Sequence, residues 1–343
     1  MPTALQMKRV QATPDDEYYT RLCDINEELK HYKPHFKDKV VLCNCDDPRV
    51  SNFFHYFAEN FEALGLKRLI ATCYKHQDIE LFSDYQSEQA VYIIYEGDKN
   101  GSKTVDLDEL QVLPLKGDGD FRSDECVELL KQADIVCTNP PFSLLGDFFD
   151  LLHRYEKKFL VLGSAAALHR SEAFPYLRDN RMWTGYKPYS QDMLFEVSKE
   201  HEDILRKTKR EGSGWRIVNG HFYGRTQAIW YTNLEIDKIH EDFVSLLYKT
   251  YTPAEYPTYE NLDAIDVGKV KEIPKDYFGL MGVPDSFIDV YNPDQFEIVG
   301  VGVGDLAKQI GVTKNYRGRT DVAFEKDGRM KCPYSRLIIR RKI

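Results

Sequence analysis

No apolar stretch of this 343-residue chain reaches the roughly 18 residues needed to cross a bilayer, so no membrane-spanning helix is expected. Residues Met1 to Glu17 lack an apolar signal core, and export is not expected either. No strand-like run is followed by a G-x-G-x-x-G turn, which removes the usual cradle for a cofactor pyrophosphate. Internal repeats and low-complexity tracts are absent too. Cys43-Asn44-Cys45 has a single residue between its thiols and no matching Cys/His pair, so no metal site is expected. The seven cysteines are an odd count, and Cys43, Cys45, Cys73 and Cys137 sit in apolar runs as small hydrophobes, which suits a reducing cytoplasm. Basic excess is missing as well. The net charge of −9 argues against a polyanionic partner by its sum, but charge distribution matters more. Basic residues gather in Arg206-Lys207-Thr208-Lys209-Arg210, in Lys314-Asn315-Tyr316-Arg317-Gly318-Arg319 and from Arg336 to Lys342. Each cluster alone is equally readable as a solvated face.

What is present is a globular composition, 42% hydrophobic and 29% charged, in a length for one large domain or two ordinary ones. Lys39 to Asn44, Arg68 to Tyr74, Ile135 to Thr138 and Phe159 to Gly163 are short apolar runs of the buried parallel kind. Amphipathic stretches alternate with them. Phe53, Phe54, Phe57, Phe61 and Leu64 share one helical face, with Asp47 as N-cap, Pro48 in the first turn and Gly65 at the end. Glu17 to Leu22 opens another helix running towards Tyr32, and Ser123 caps a third over Asp124 to Gln132. Ala90 to Tyr95 and Lys103 to Leu107 flank Asn100-Gly101 and read as an inserted hairpin. Gln191 to Val197, Trp215 to Phe222 and Gln227 to Tyr231 supply the last strands of the sheet, at an antiparallel edge. Arg206 to Gly214 reads as a mobile loop over substrate. The pattern predicts a doubly wound α/β fold up to residue 233. Beyond it, from Leu234 to Ile343, Tyr-Pro pairs and shorter apolar runs replace the alternation, as in an appended recognition region.

The most informative stretch is Asp134-Ile135-Val136-Cys137-Thr138-Asn139-Pro140-Pro141-Phe142-Ser143. The prolines fix φ and remove two backbone donors, leaving Asn139 extended at the carboxyl end of a buried strand. A rigid rim of acceptors results, formed by the Asn139 amide oxygen and the Pro140 carbonyl, beside the aromatic face of Phe142. Such a rim suits a planar exocyclic amine, and strand carboxyl ends are where open α/β sheets bind ligands. Asn-Pro-Pro by itself is equally a turn after a strand. Two further loops carry chemistry. Asp46 and Asp47 follow the first strand, where carboxylates suit a cationic sulfonium, an ammonium group or ribose hydroxyls; capping and solvation are the plain alternatives. Gly117-Asp118-Gly119-Asp120-Phe121 permits close ligand approach, with a carboxylate that can accept from an amine and an aromatic face that stacks or packs.

Asn139-Pro140-Pro141-Phe142 resembles the catalytic loop of amino-methyltransferases, which use S-adenosylmethionine. With Tyr18-Tyr19-Thr20, Cys43 to Pro48, Gly119-Asp120-Phe121, Arg181 to Tyr186, Trp230 to Asn233, Met281 to Pro284 and Tyr291 to Phe296, the chain is similar over nearly its whole length to the EcoRI-type adenine-specific DNA methyltransferases. That resemblance implies a Rossmann-like methyltransferase sheet. It implies catalysis by Asn139, Pro140, Pro141 and Phe142, and a cofactor site drawn from Tyr18, Tyr19, Thr20, Asn44, Asp46, Asp47, Asp120, Phe121 and Asn139. The cofactor's adenine amine would donate to Asp120. The partner would be double-stranded DNA, held by Arg206, Lys207, Lys209, Arg210, Lys314, Arg317 and Arg319. A monomeric cytoplasmic enzyme of a bacterial or phage restriction-modification system is implied. The second strand ends in Tyr74 and Lys75, where such folds often place an acidic ribose ligand, so the ribose contact is unassigned. Two other functions share these motifs: an amino-methyltransferase acting on RNA or a protein amide, and a catalytically silent nucleic-acid-binding module.

Overall fold

Val40-Val41-Leu42-Cys43-Asn44 is buried at every position, as a strand covered on both faces must be. The structure is a computed structural model that describes residues 19–45, 51–72, 90–101, 105 and 110–343. The chain divides into two compact units, one of residues 1–27, 36–157 and 193–226 and one of 28–35, 158–192 and 227–343. The sequence reading placed its boundary after residue 233; residues 234–343 all lie in the second unit.

In the first unit, β1 (Tyr19–Thr20) and most of α1 (Leu22–Leu29), whose last two residues belong to the second, precede the central β2 (Val40–Asn44). The helix thus starts later than the sequence suggested, because Tyr19 and Thr20 are taken up by pairing with a strand far along the chain. Helix α2 (Asn52–Glu59) is capped by the Ser51 hydroxyl, which accepts from the Phe54 N–H at 3.5 Å. The expected cap, Asp47, and Pro48 lie outside the described residues. The phenylalanine face is split: α2 stops at Asn60 and α3 (Phe61–Leu64) ends on Gly65, whose φ of 64° is left-handed. Then β3 (Arg68–Thr72) runs parallel to β2, and β4 (Val91–Tyr95) antiparallel to β3. The hairpin partner of β4 is β5 (Gln111–Pro114), not the expected 103–107, of which only Val105 is described. Helix α4 (Asp124–Gln132) begins as expected, with Ser123 Oγ accepting from the Cys126 N–H, and leads to β6 (Ile135–Thr138), parallel to β2. A 3₁₀ turn at Phe142–Leu144 leads into α5 (Leu145–Arg154), whose Leu145, Phe148, Phe149, Leu151 and Leu152 are buried.

These strands stand in the order β5-β4-β3-β2-β6. The chain moves from β2 to β3 on one side and returns to β6 on the other, so the order reverses beside β2. Open α/β sheets bind their ligands at such a reversal, which here falls at the carboxyl ends of β2 and β6.

The chain then enters the second unit with β7 (Lys158–Ser164), α6 (Phe174–Arg178) and β8 (Trp183–Thr184). It returns to the first with β9 (Met193–Glu196), α7 (Lys199–Thr208), β10 (Trp215–Val218) and β11 (His221–Thr226). Strands β9, β10 and β11 do not extend the central sheet, as the sequence reading had it; they form a separate antiparallel sheet ordered β1-β9-β11-β10. Period-2 alternation shows that a segment is a strand, not which sheet it joins. In the second unit, β12 (Ala228–Thr232) pairs antiparallel with both β7 and β8, as an antiparallel edge was expected to. A four-stranded sheet in the order β13-β14-β18-β15 follows, built from Ile265–Asp266, Leu280–Pro284, Arg336–Arg341 and Phe296–Val301. It packs a small core that includes Tyr259, Val312, Phe324 and Ile338. Under it, Arg336 Nε meets Asp266 at 2.9 Å, and Tyr259 donates to the same carboxylate at 2.6 Å.

Candidate active site

Asn44 ends β2 and Asn139 follows β6, so the two adjacent parallel strands deliver both residues to the same end of the sheet. Thr138 fixes their relation by donating its hydroxyl to the Asn44 carbonyl. All three are buried, Asn139 at 7% exposure. Directly after Asn44, Cys45 turns the chain with a φ of 86°, which a residue with a side chain rarely adopts. Strain of this kind costs about 1–3 kcal/mol and gathers at functional sites.

The Pro-Pro loop is held from its far side. Leu144 N–H donates to the Pro141 carbonyl at 3.0 Å, starting the 3₁₀ turn that carries Phe142, Ser143 and Leu144. Among the described residues no backbone N–H reaches the Pro140 carbonyl. Phe142 is half-buried rather than packed into the core.

Asp120 sits on a loop shaped by Gly119, whose φ is 81°. Its carboxylate is already gripped. Oδ1 accepts from the Arg122 N–H at 2.9 Å and from Arg122 Nε at 3.0 Å, while Oδ2 accepts from the guanidinium at 2.8 Å. The other end of that guanidinium reaches Asp147 on α5 at 3.0 Å. These bonds raise the Arg122 pKa above its ordinary value, with burial opposing them. Sequence reading missed Arg122, although a cation two residues after a loop carboxylate is a legible signal. Phe121 is buried and meets Phe148 edge-on, with ring centroids 5.0 Å apart, so packing is its observed part.

Thr20 and Asn44 bear on whether a polar ligand fits. Thr20 is buried, and its carbonyl accepts from the Asn52 side chain, at the start of α2, at 2.8 Å. Among the described residues, the Thr20 hydroxyl and the Asn44 amide oxygen have no hydrogen-bond partner. A buried polar atom left so costs about 1–3 kcal/mol, and a ligand rich in hydroxyl and amine donors would recover it. Tyr18, Asp46, Asp47 and the Tyr19 side chain lie outside what is described. Among the described residues no cluster of His, Cys, Asp and Glu could hold a metal ion.

The expected DNA contacts fall in both units. Arg206 and Lys207 belong to the last turn of α7, correcting the view of 206–214 as wholly loop. Arg206 is bound to Glu202 at 2.7 Å and lies over the Trp215 and Phe222 rings at 5.0 and 4.6 Å. Lys209 and Arg210 follow on the exposed turn. In the second unit, Lys314, Arg317 and Arg319 ride a tight turn whose Asn315 side-chain oxygen accepts from the Arg317 N–H at 2.8 Å. Arg319 pairs with Asp321 at 3.3 Å.

The sequence profile of the family described as "Adenine-specific methyltransferase EcoRI" matches residues 6–342. The chain belongs to that family. Among its relatives, the Type II methyltransferase M.EcoRI of Escherichia coli is 38% identical over 336 residues, covering 98% of this chain and 96% of that protein. M.MpnI of Mycoplasma pneumoniae is 35% identical over 338 residues, 97% of each chain. M.MgeORF184P of Mycoplasma genitalium is 38% identical over 292 residues, 85% of this chain and 84% of that one. No solved structure gives a significant match.

Proposed function

We propose that this adenine-specific methyltransferase takes its methyl group from S-adenosylmethionine and places it on the N6 amine of an adenine flipped out of a specific double-stranded DNA site. The observation that carries the reading is the pair of buried amides, Asn44 and Asn139, at adjacent strand ends beside the strand-order reversal. The catalytic core is read as Rossmann-like, with residues 234–343 as a recognition region. The enzyme is expected to act as a monomer in the cytoplasm.

When bound, S-adenosylmethionine supplies an electrophilic methyl group on a sulfonium. Thr20 and Asn44 would satisfy their buried oxygens on its donors, and Asp46, Asp47 and Tyr18-Tyr19 would complete that side of the pocket. Asp120, whose carboxylate Arg122 already holds in place, would accept from the cofactor's adenine amine. An adenine within a duplex cannot reach a buried donor, so the base must leave the stack, at a cost of a few kcal/mol. Phe142 would recover part of this by stacking, about 1–3 kcal/mol per base. The amine is a weak nucleophile because its lone pair is delocalised into the ring. Accepting hydrogen bonds from its N–H groups at the Asn139 amide oxygen and the Pro140 carbonyl favours a pyramidal nitrogen and turns the lone pair towards the methyl group. The new N–C bond would replace the S–C bond, with the neutral thioether leaving and the methylated nitrogen giving up one proton to solvent. Prolines that cannot relax keep those acceptors in place, so positioning and preorganised dipoles supply most of the acceleration.

The test offers labelled S-adenosylmethionine with duplex DNA, ribosomal RNA and protein extract, and identifies the product by nucleoside mass spectrometry. N6-methyladenine in duplex DNA is expected. Label confined to RNA or protein would overturn the reading.

A further inference from the structure

We propose that the hairpin Trp215–Thr226 is a DNA-reading ribbon, whose tip enters the major groove with Ile217 and Val218 against base edges. The proposal rests on the DNA reading above and adds the element that reads sequence.

The hairpin is built to project. Only Gly224, Arg225 and Thr226 of β11 pair with β9, whereas the stretch from Arg216 to Tyr223 pairs within the hairpin alone. Asn219 and Gly220 close it with φ of 52° and 81°, the two positive values of a type I′ turn. Its base is stiff. Trp215 stacks on Phe222 with ring centroids 5.2 Å apart, and Arg206, fixed by Glu202, spans both rings from α7. Just behind the polar turn, two apolar side chains face solvent: Ile217 is 49% exposed and Val218 36%. An exposed apolar edge invites unwanted pairing, and proteins usually blunt it with charge or cover it.

The surroundings identify what covers this one. From Arg206 to Arg225 there are six lysines and arginines against the single carboxylate of Glu211, in a chain of net charge −9. Lys207, Lys209, Arg210 and Arg216 make no ion pair among the described residues. A stiff two-stranded ribbon fits the major groove, where thymine methyls offer apolar contact and phosphates line both rims. The flanking cations then position the ribbon and the tip discriminates.

The full-length enzyme with Ile217→Asn and Val218→Asn together tests this. The motif methylated by the wild type is first read by sequencing methylated plasmid DNA. The double variant is expected to lose about ten- to a hundredfold in methylation at that motif, as losing base contacts does. Its preference for the motif duplex over an unrelated duplex should collapse by a similar factor. Affinity for S-adenosylmethionine and the melting temperature should hold. The single changes Ile217→Ala and Val218→Ala give a milder version of the same loss should the double variant unfold. Unchanged rate and unchanged preference in the folded variants overturn the proposal. So does a wild-type dimer that the variants convert to monomer with methylation intact, which would give the edge to a second copy. A wild type that methylates no duplex DNA removes the DNA reading itself, whatever the hairpin variants do.

Discussion

At the residue scale, Asn139 and Phe142 separate chemistry from capture. In the proposed mechanism Asn139→Ala deletes an acceptor for the target amine and leaves Asn44, Thr20 and Asp120 untouched. Loss of one preorganised contact of this kind costs about 10²–10³ in turnover. Single-turnover assays should show that loss, with cofactor affinity by calorimetry kept within a few-fold; wild-type turnover would remove this loop from the active site. Phe142→Ala should instead regain part of its lost rate on a duplex mismatched at the target adenine, where unstacking is cheaper. The backbone setting of both residues was legible in the sequence, because two prolines after a buried strand dictate their own geometry. The strained Cys45 and the clamp on Asp120 were not, since a φ and a guanidinium's direction are set by the surrounding fold.

Arg122 leads to the scale of elements. It ties the Gly119–Asp120 loop to α5 through Asp147, so Arg122→Ala should loosen the loop without removing Asp120. Weaker cofactor binding with transfer from the saturated complex nearly unchanged is the expected split. A lower saturated rate with unaltered affinity would mean that the loop has no part in the pocket. Another element depends on Glu28, a buried carboxylate accepting from the Tyr186 and Lys187 N–H groups at 2.7 and 2.9 Å and from the Tyr32 hydroxyl at 2.9 Å. Burial raises its pKa despite these bonds. A carboxyl raised in the folded state contributes stability below its ordinary range of about 4, and that contribution fades as pH climbs through the raised value. Glu28→Gln should therefore flatten the fall of melting temperature over this window, whereas Glu28→Leu should destabilise by about 1–3 kcal/mol for each stranded N–H. Equal melting curves for wild type and Glu28→Leu would refute that account. Local signals located β2, β3, β6 and α4, whose boundaries follow from apolar runs and a serine cap. The partner of β4 and the separate sheet of β1, β9, β11 and β10 depend on pairing between distant segments, which no local pattern encodes.

For the whole molecule the governing quantity is charge. An acidic protein that binds DNA must do so through local cation clusters, and each phosphate neutralised releases condensed counterions. The logarithm of the association constant should therefore fall linearly with the logarithm of salt, with a slope of about −0.9 for each contact. Arg317 lies over Tyr316 at 5.1 Å on an exposed turn, and its neighbour Arg319 is 61% exposed even while paired with Asp321. Both can therefore reach a phosphate, Arg319 by giving up a surface pair that is worth little. Reversing both to glutamate should make the slope shallower by about two contacts and weaken motif and unrelated duplexes alike. This signature differs from that of the hairpin tip, which should change preference and leave the slope nearly as it was. Titrations of both duplexes across a salt series measure the two effects independently. An unaltered slope in the charge-reversed enzyme would take the turn from 314 to 319 off the DNA and leave the cations around α7 and the hairpin to carry the phosphates.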